Sequence, residues 1–261
     1  LNEVYLVESE FKDKKVIHDV QQLQGDIEFE DVDYRYGYGE NVLDKINLTI
    51  KQGEKLTIVG MSGSGKSTLV KLLVNFFEPT SGILKFNNHS SNEIDKHILR
   101  SYINYVPQNP YIFAGTIEDN LKLGNRINVT DEDIFNACKI AMIAEDIAKM
   151  PLQLRTELDE NANTLSGGQK QRITIARALL SPAQVLIFDE STSGLDAITE
   201  KRLIDNLMQL KDKTIIFIAH RLSIAKRTDN ILVLDNGKIV EQGRHDELLA
   251  QEGYYYNLVN S

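Results

Sequence analysis

Gly60-Met61-Ser62-Gly63-Ser64-Gly65-Lys66-Ser67 is the stretch on which the fold turns. It fits G-x-x-x-x-G-K-[ST], a pattern that carries weight only between a strand and a helix. Upstream, Lys55-Leu56-Thr57-Ile58-Val59 alternates and is β-branched, which predicts a strand. Downstream, Thr68-Leu69-Val70-Lys71-Leu72-Leu73 predicts a helix. Glycines let successive backbone N–H groups curl around phosphate oxygens, and the helix N-terminus adds a partial positive charge. Gly60, Ser62, Gly63, Ser64, Gly65 and Thr68 are therefore expected to cradle a nucleotide's phosphates. Lys66 is expected to reach the β- and γ-phosphates, and the Ser67 hydroxyl to ligate Mg²⁺.

Further along, Val185-Leu186-Ile187-Phe188-Asp189-Glu190 is four apolar residues and then two carboxylates. The run suits a strand buried on both faces of a parallel sheet. Its carboxylates then emerge at the C-terminal edge, where open α/β sheets bind ligands. Asp189 suits Mg²⁺, directly or through a water, and Glu190 suits a general base that polarises the attacking water. A merely structural acidic pair is the alternative. Thr214-Ile215-Ile216-Phe217-Ile218-Ala219-His220 repeats the arrangement, and His220 is positioned to bond a γ-phosphate or orient water. Ile103-Asn104-Tyr105-Val106-Pro107-Gln108 predicts a short strand whose Gln108 reaches the metal and the water. Leu165-Ser166-Gly167-Gly168-Gln169 opens a helical pattern in which Ile173, Ala176 and Leu180 recur and Pro182 follows the end. That makes a second anion-binding helix terminus.

Six pieces in this order resemble the nucleotide-binding domain of ABC transporters. Tyr36, residues 60–67, Gln108, residues 165–169, Asp189-Glu190 with Ser193-Gly194-Leu195-Asp196, and His220 match that family's adenine-stacking loop, Walker A, Q-loop, signature, Walker B with D-loop, and switch histidine. Tyr34 and Tyr38 are rivals for the stacking role, and Tyr36 fits the family spacing best. The resemblance runs from about residue 26 to the C-terminus. It implies an α/β P-loop NTPase fold with a RecA-like core, an antiparallel β subdomain and an α-helical subdomain at about 109–178. It implies ATP and Mg²⁺ as ligands and ATP hydrolysis as the activity. It also implies a head-to-tail homodimer in which Ser166, Gly167, Gly168, Gln169 and Asp196 of one copy meet the phosphates held by the other. Residues 107–121 resemble exporters, where a Phe-x-x-Thr-Ile-x-x-Asn-Leu segment contacts the transmembrane domain. Residues 103–121, 167–172 and 215–222 look closest to the ComA- and lactococcin-type exporters of bacteriocin and competence peptides. That reading places the chain at the cytoplasmic face of a membrane, beside a transmembrane domain of the same polypeptide.

The chain departs from the family in two places. Where the family usually reads Ala-Thr-Ser-Ala-Leu-Asp, this chain reads Ser191-Thr192-Ser193-Gly194-Leu195-Asp196. Where exporters often read Thr-Glu-Val-Gly-Glu-Arg-Gly, it reads Thr156-Glu157-Leu158-Asp159-Glu160-Asn161-Ala162. The second change predicts altered cross-talk to the membrane part. Two other function classes fit the residues less well. A chromosome-maintenance ATPase needs a long coiled-coil insertion between Gln108 and the signature, and residues 109–164 leave no room for it. A nucleotide-binding regulator without turnover should lack the base, yet Glu190 and His220 are both present. An exporter of another cargo, such as a lipid or drug, stays open.

The 261 residues are 42% apolar, enough for a sizeable core. A net charge of −9 and no aromatic-laced basic cluster argue against nucleic acid as a partner. The single cysteine, Cys138, excludes an internal disulfide and reads as a small core residue on a helix. No apolar stretch approaches the ~18 residues of a membrane span. Residues 1–24 read as the tail of a helix arriving from upstream and then a linker, or as an ordinary N-terminal helix with its methionine removed. Residues 26–59 read as an antiparallel lobe of strands at 27–29, 34–36, 46–50 and 56–59, with Gly53 in a turn. Residues 111–178 read as helical, with 131–149 a helix capped by Thr130 or Asp131.

Overall fold

In the computed structural model, residues 17, 19–124, 129–160, 163–219 and 222–260 are described. The readings placed on residues 1–16 and on His220 fall outside them. After a single 3-10 turn at Val20–Leu23 comes one long strand, β1 (Ile27–Arg35), where two short ones are expected. Asp31, at φ 45°, sits at a bulge between Phe29 and Val32 and brings both side chains inward. The Asn47 side chain brackets it, accepting from the Asp31 N–H at 3.0 Å and donating to Asp31 Oδ1 at 2.8 Å. An extra residue of this kind carries a strand through a break in its alternation.

β2 (Asn41–Ile50) pairs antiparallel with β1, and Gly53, at φ 80°, turns the chain into β3 (Lys55–Val59). Here the structure corrects the sequence reading. All five residues of β3 are buried, so the strand needs cover on both faces. It lies between parallel neighbours in a second sheet, not in the antiparallel lobe. After the phosphate loop and α1 (Lys66–Leu73), the chain returns to that lobe with β4 (Ser81–Phe86) and β5 (His89–Ser90). The lobe's order is β2-β1-β4-β5.

α2 (Lys96–Tyr102) runs directly into β6 (Ile103–Val106). A region of helices follows. It opens with β7 (Gly115–Thr116) and α3 (Ile117–Lys122). α4 (Asp131–Ile140) and α5 (Ala144–Lys149) take the place of the single expected helix. Met142, at φ 59°, breaks the helical path between them. Thr130 is the cap, its hydroxyl accepting from the Asp133 N–H while Asp133 bonds back. β8 (Glu157–Leu158) pairs with β7, so this region is not wholly helical. α6 (Gly167–Leu180) then leads to the carboxylate strand β9 (Val185–Asp189).

The rest alternates: α7 (Ala197–Met208), β10 (Thr214–Ile218), α8 (Leu222–Ala225), β11 (Asn230–Asp235), β12 (Lys238–Gly243), α9 (His245–Ala250) and α10 (Tyr254–Asn260). The six-stranded sheet has the order β12-β11-β3-β10-β9-β6, parallel except for the edge strand β12. One core fills the space between the antiparallel lobe and this sheet, and a second joins the sheet to the helical region. The consequence for function is an alignment. Ile58, Ile218 and Asp189 lie in one row of the sheet, with Val106 opposite Phe188. The segments after β3, β6, β9 and β10 thus all leave from one edge.

Candidate active site

The phosphate loop leaves that edge at Gly60, whose φ is 151°. A Cβ there would lie 2.2 Å from the Leu234 carbonyl oxygen, so only glycine fits. Gly65, at φ 105°, starts α1, and Leu69 N–H closes the first turn on its carbonyl at 2.9 Å. Ser62, Gly63 and Ser67 face solvent, while Ser64, Lys66 and Thr68 are buried. Lys66 Nζ reaches back across the loop and donates to the carbonyls of Gly60 at 2.7 Å and Met61 at 2.8 Å. Burial lowers the pKa of this ammonium, while Glu190 and then Asp189 pull it upward. The lysine therefore lies within the field of both carboxylates.

Those carboxylates are braced from a neighbouring strand. Tyr105 donates its hydroxyl to Asp189 Oδ2 at 2.7 Å, and Gln108 donates Nε2 to Glu190 Oε2 at 2.9 Å. Continuing the β6–β9 register past Val106↔Phe188 brings Gln108 level with Glu190. Glu190 itself adopts φ 48°, a left-handed conformation that costs a non-glycine residue about 1–3 kcal/mol. Its N–H donates to the Ile218 carbonyl at 3.0 Å, and its carbonyl accepts from Ser193 at 3.1 Å.

Among the tyrosines, the structure separates three rivals. Tyr34 is buried and stacks on Phe77 at 5.2 Å between ring centres. Tyr38 is fully exposed. Tyr36 is half exposed, meets Tyr34 and Phe77 edge-on, and shares a 3.1 Å hydrogen bond between its hydroxyl and Thr68 Oγ1. Only Tyr36 combines an available ring face with a tie to the helix that follows the phosphate loop.

The signature turn is built differently. Ser166 Oγ accepts from the Gln169 N–H at 3.2 Å, and Gln169 Oε1 accepts from the Ser166 N–H at 2.9 Å, a reciprocal cap on α6. Gln169 Nε2 goes on to donate to Asp146 Oδ1 at 3.0 Å, and Arg172 pairs with Asp146 Oδ2 at 2.8 Å. Leu165 is buried beneath the turn, while Ser166 and Gly167 are exposed. Gly168 packs beside Leu195 and Gly194. Among the described residues, no hydrogen bond joins 165–169 to 60–67. The Asp196 carboxylate caps α7, accepting from Ile198 and Thr199 N–H groups at 3.1 and 3.0 Å.

Three features escaped sequence reading. Tyr105 showed no signal beyond strand propensity. At the D-loop, a Cβ on Gly194 would come within 2.8 Å of Gln171 Oε1, so the change from alanine is matched by Gln171, which accepts from the Gly194 N–H at 3.2 Å. Arg177, near the far end of α6, donates to the carbonyls of Asn120 and Tyr111 at 2.7 and 3.0 Å. It also covers the half-exposed Phe113 ring, which meets exposed Tyr111 at 4.5 Å. The signature helix is thereby tied to an aromatic surface at 111–113.

The donor set fits Mg²⁺. It offers the Ser67 hydroxyl, the Asp189 carboxylate and the Gln108 amide, all hard oxygen donors. Among the described residues no cluster of three or more His, Cys, Asp or Glu stands ready to hold a metal.

Residues 43–193 match the family described as ABC transporter. Over its whole length the chain is 57% identical to the transport/processing ATP-binding protein ComA of Streptococcus pneumoniae, of which it covers 36%. It is 56% identical to the pediocin PA-1 transport/processing ATP-binding protein PedD of Pediococcus acidilactici, again covering 36% of that protein. A solved bacterial Atm1-family ABC exporter with ATP bound superposes on 99% of this chain with a TM-score of 0.90 and 33% identity, and the match covers 46% of that exporter. The chain thus spans about a third of the length of the curated relatives it matches.

Proposed function

The chain belongs to the ABC transporter family, whose general activity is ATP hydrolysis, and from that premise we propose that it binds Mg-ATP and hydrolyses it to drive export of a peptide. The observation that carries the reading is the braced carboxylate pair. Glu190, held by Gln108, and Asp189, held by Tyr105, stand at the same sheet edge as Lys66 and its loop.

In this mechanism the adenine stacks on Tyr36, and loop N–H groups at 60–67 take the phosphates. Ser67, Asp189 and Gln108 would hold the Mg²⁺, which would neutralise phosphate charge. Lys66 leaves its carbonyl partners for the phosphate oxygens. Glu190 takes the proton of the attacking water. His220 serves the γ-phosphate side. One helix N-terminus leaves the far side of the γ-phosphate in water, and the exposed Ser166-Gly167-Gly168 turn of a second copy closes it. ATP then holds two copies together head to tail, and hydrolysis releases them. The aromatic surface at 111–113, tied to α6 through Arg177, passes that closure to membrane helices of the parent polypeptide at the cytoplasmic face. Bacteriocin or competence-pheromone peptides are the proposed cargo, because the relatives matched over the whole of this chain at 53–57% identity are transport/processing ATP-binding proteins, several of them named for a bacteriocin.

The test is sedimentation of Glu190→Gln with and without Mg-ATP. Monomers should become dimers only with nucleotide, and turnover should fall to near background. Monomers at saturating Mg-ATP would overturn the shared site. A full-length parent carrying Glu190→Gln should stop releasing peptide into the medium, and continued release would exclude this domain as the motor.

A further inference from the structure

Asp189 needs more than its position on β9 to face a metal. A carboxylate turns about its terminal torsion in a broad, roughly two-fold well. Something must choose which oxygen looks outward. Tyr105 lies opposite Ile187 in the β6–β9 register, and strand alternation puts Ile187 and Asp189 on the same face. Its hydroxyl consequently meets Asp189 Oδ2 at 2.7 Å. An O–H donor on an ionised oxygen at this distance is among the stronger hydrogen bonds proteins make. The ring packs against the core under the antiparallel lobe, so the donor rides on a fixed stem. Oδ1 carries no hydrogen bond among the described residues.

We propose that Tyr105 is a positioning residue for the metal site: its hydroxyl locks Asp189 so that Oδ1 faces the Mg²⁺ carried by ATP. The proposal rests on the reading of Asp189 as the metal-facing carboxylate. It also gives β6 a consistent task. Tyr105 on β6 and Gln108 just beyond it donate to Asp189 at the end of β9 and to Glu190 just after it. A phenylalanine at 105 would fill the same apolar space, so the hydroxyl alone carries the effect.

The experiment measures binding of a fluorescent ATP analogue to the 261-residue chain in the Glu190→Gln background. Mg²⁺ is titrated in one arm and EDTA replaces it in the other. Tyr105→Phe should raise the Mg²⁺ concentration for half-maximal binding about tenfold or more, the loss expected of one charge-assisted hydrogen bond. Affinity in EDTA should stay within about twofold and the thermal midpoint should hold. Mn²⁺ in place of Mg²⁺, followed by electron paramagnetic resonance, should show the same weakening without any turnover. If Tyr105→Phe lowers the thermal midpoint, Tyr105→Leu provides a second apolar side chain, and the same split between the two arms is expected of it. Equal weakening in both arms would overturn the proposal, because a purely structural tyrosine acts on both. Asp189→Asn, run in parallel, separates the two layers. A metal shift in Asp189→Asn but none in Tyr105→Phe defeats the role of Tyr105 alone. No metal shift in Asp189→Asn defeats the metal reading itself and Tyr105 with it.

Discussion

Glu190 carries its strain in the backbone, while the role proposed for it as base lies in the side chain. The left-handed φ of 48° is held by bonds to Ile218 and Ser193 that any residue at 190 would make. Glu190→Gln therefore keeps the loop, keeps a polar partner for Gln108, and loses only the base. ATP binding should persist while single-turnover hydrolysis nearly vanishes. A rate within a fewfold of wild type would remove Glu190 from that role. Tyr36 acts at the other end of the nucleotide. In the proposed stacking role its ring would touch adenine in the ground state and the transition state alike, so Tyr36→Ala should weaken ATP affinity and spare the chemical step. A loss of about 0.5–1.5 kcal/mol matches an aromatic stacking pair. Tyr36→Phe, which gives up only the bond to Thr68, should keep most of the affinity. Equilibrium binding and single-turnover rates measure the two effects separately.

At the scale of elements, α6 depends on its first turn. Ser166→Ala deletes the hydroxyl that accepts from Gln169, and N-cap losses of this kind cost about 1 kcal/mol. Urea unfolding should show that loss in the isolated chain, while Ser166→Arg adds bulk at the exposed turn and should block closure on a second copy. α4 packs on α6 and contains Cys138, fully buried, whose thiol is pushed up to about 11 by burial. The folded state therefore holds this proton more tightly than the unfolded chain, in which a thiol titrates near ~8.5. The resulting stability is fully present below ~8.5 and is lost as pH rises through about 11. The difference in unfolding free energy between wild type and Cys138→Ala should shrink across that window. At pH 8 the native thiol should resist a disulfide reagent that labels the unfolded chain at once.

At the scale of the whole molecule the proposed site is divided. The sheet edge presents 60–67, Asp189 and Glu190, while the exposed Ser166-Gly167 turn sits on the helical region and bonds within it. A site of two halves predicts complementation. Ser166→Arg spoils the turn a copy lends, and Lys66→Ala spoils the loop a copy keeps, so each variant alone should be inactive. Mixed together, they should regain one site, formed by the intact loop of the Ser166→Arg copy and the intact turn of the Lys66→Ala copy. ATP turnover of the mixture against each variant alone is the measurement. If neither turnover nor nucleotide binding to mixed dimers returns, the sharing is wrong. Binding without turnover would show that a single intact site cannot fire alone.

The sequence by itself determined the pieces whose chemistry is local. A glycine turn between a strand and a helix, a double-glycine turn opening α6, and an apolar run ending in two carboxylates depend on neighbours within a few residues. Backbone sterics and helix capping act over that range, so residue order alone exposes them. Gly53 and the end of α6 before Pro182 belong to the same class, while the structure chose Thr130 over Asp131 as the cap of α4. Tertiary structure decided which sheet each strand joined. β3 reads like its antiparallel neighbours, yet burial on both faces sends it among parallel strands, and β4 takes the place left in the lobe. It decided the break at Met142, because α4 and α5 follow the surfaces they pack on instead of their shared helical pattern. It also buried Tyr34 against Phe77 and left Tyr36 half exposed. Above all it joined Tyr105 to Asp189 and Gln108 to Glu190, partners 84 and 82 residues apart. Those bonds exist because β6 and β9 pair in one register, and a pairing between distant strands is written in no short window of sequence.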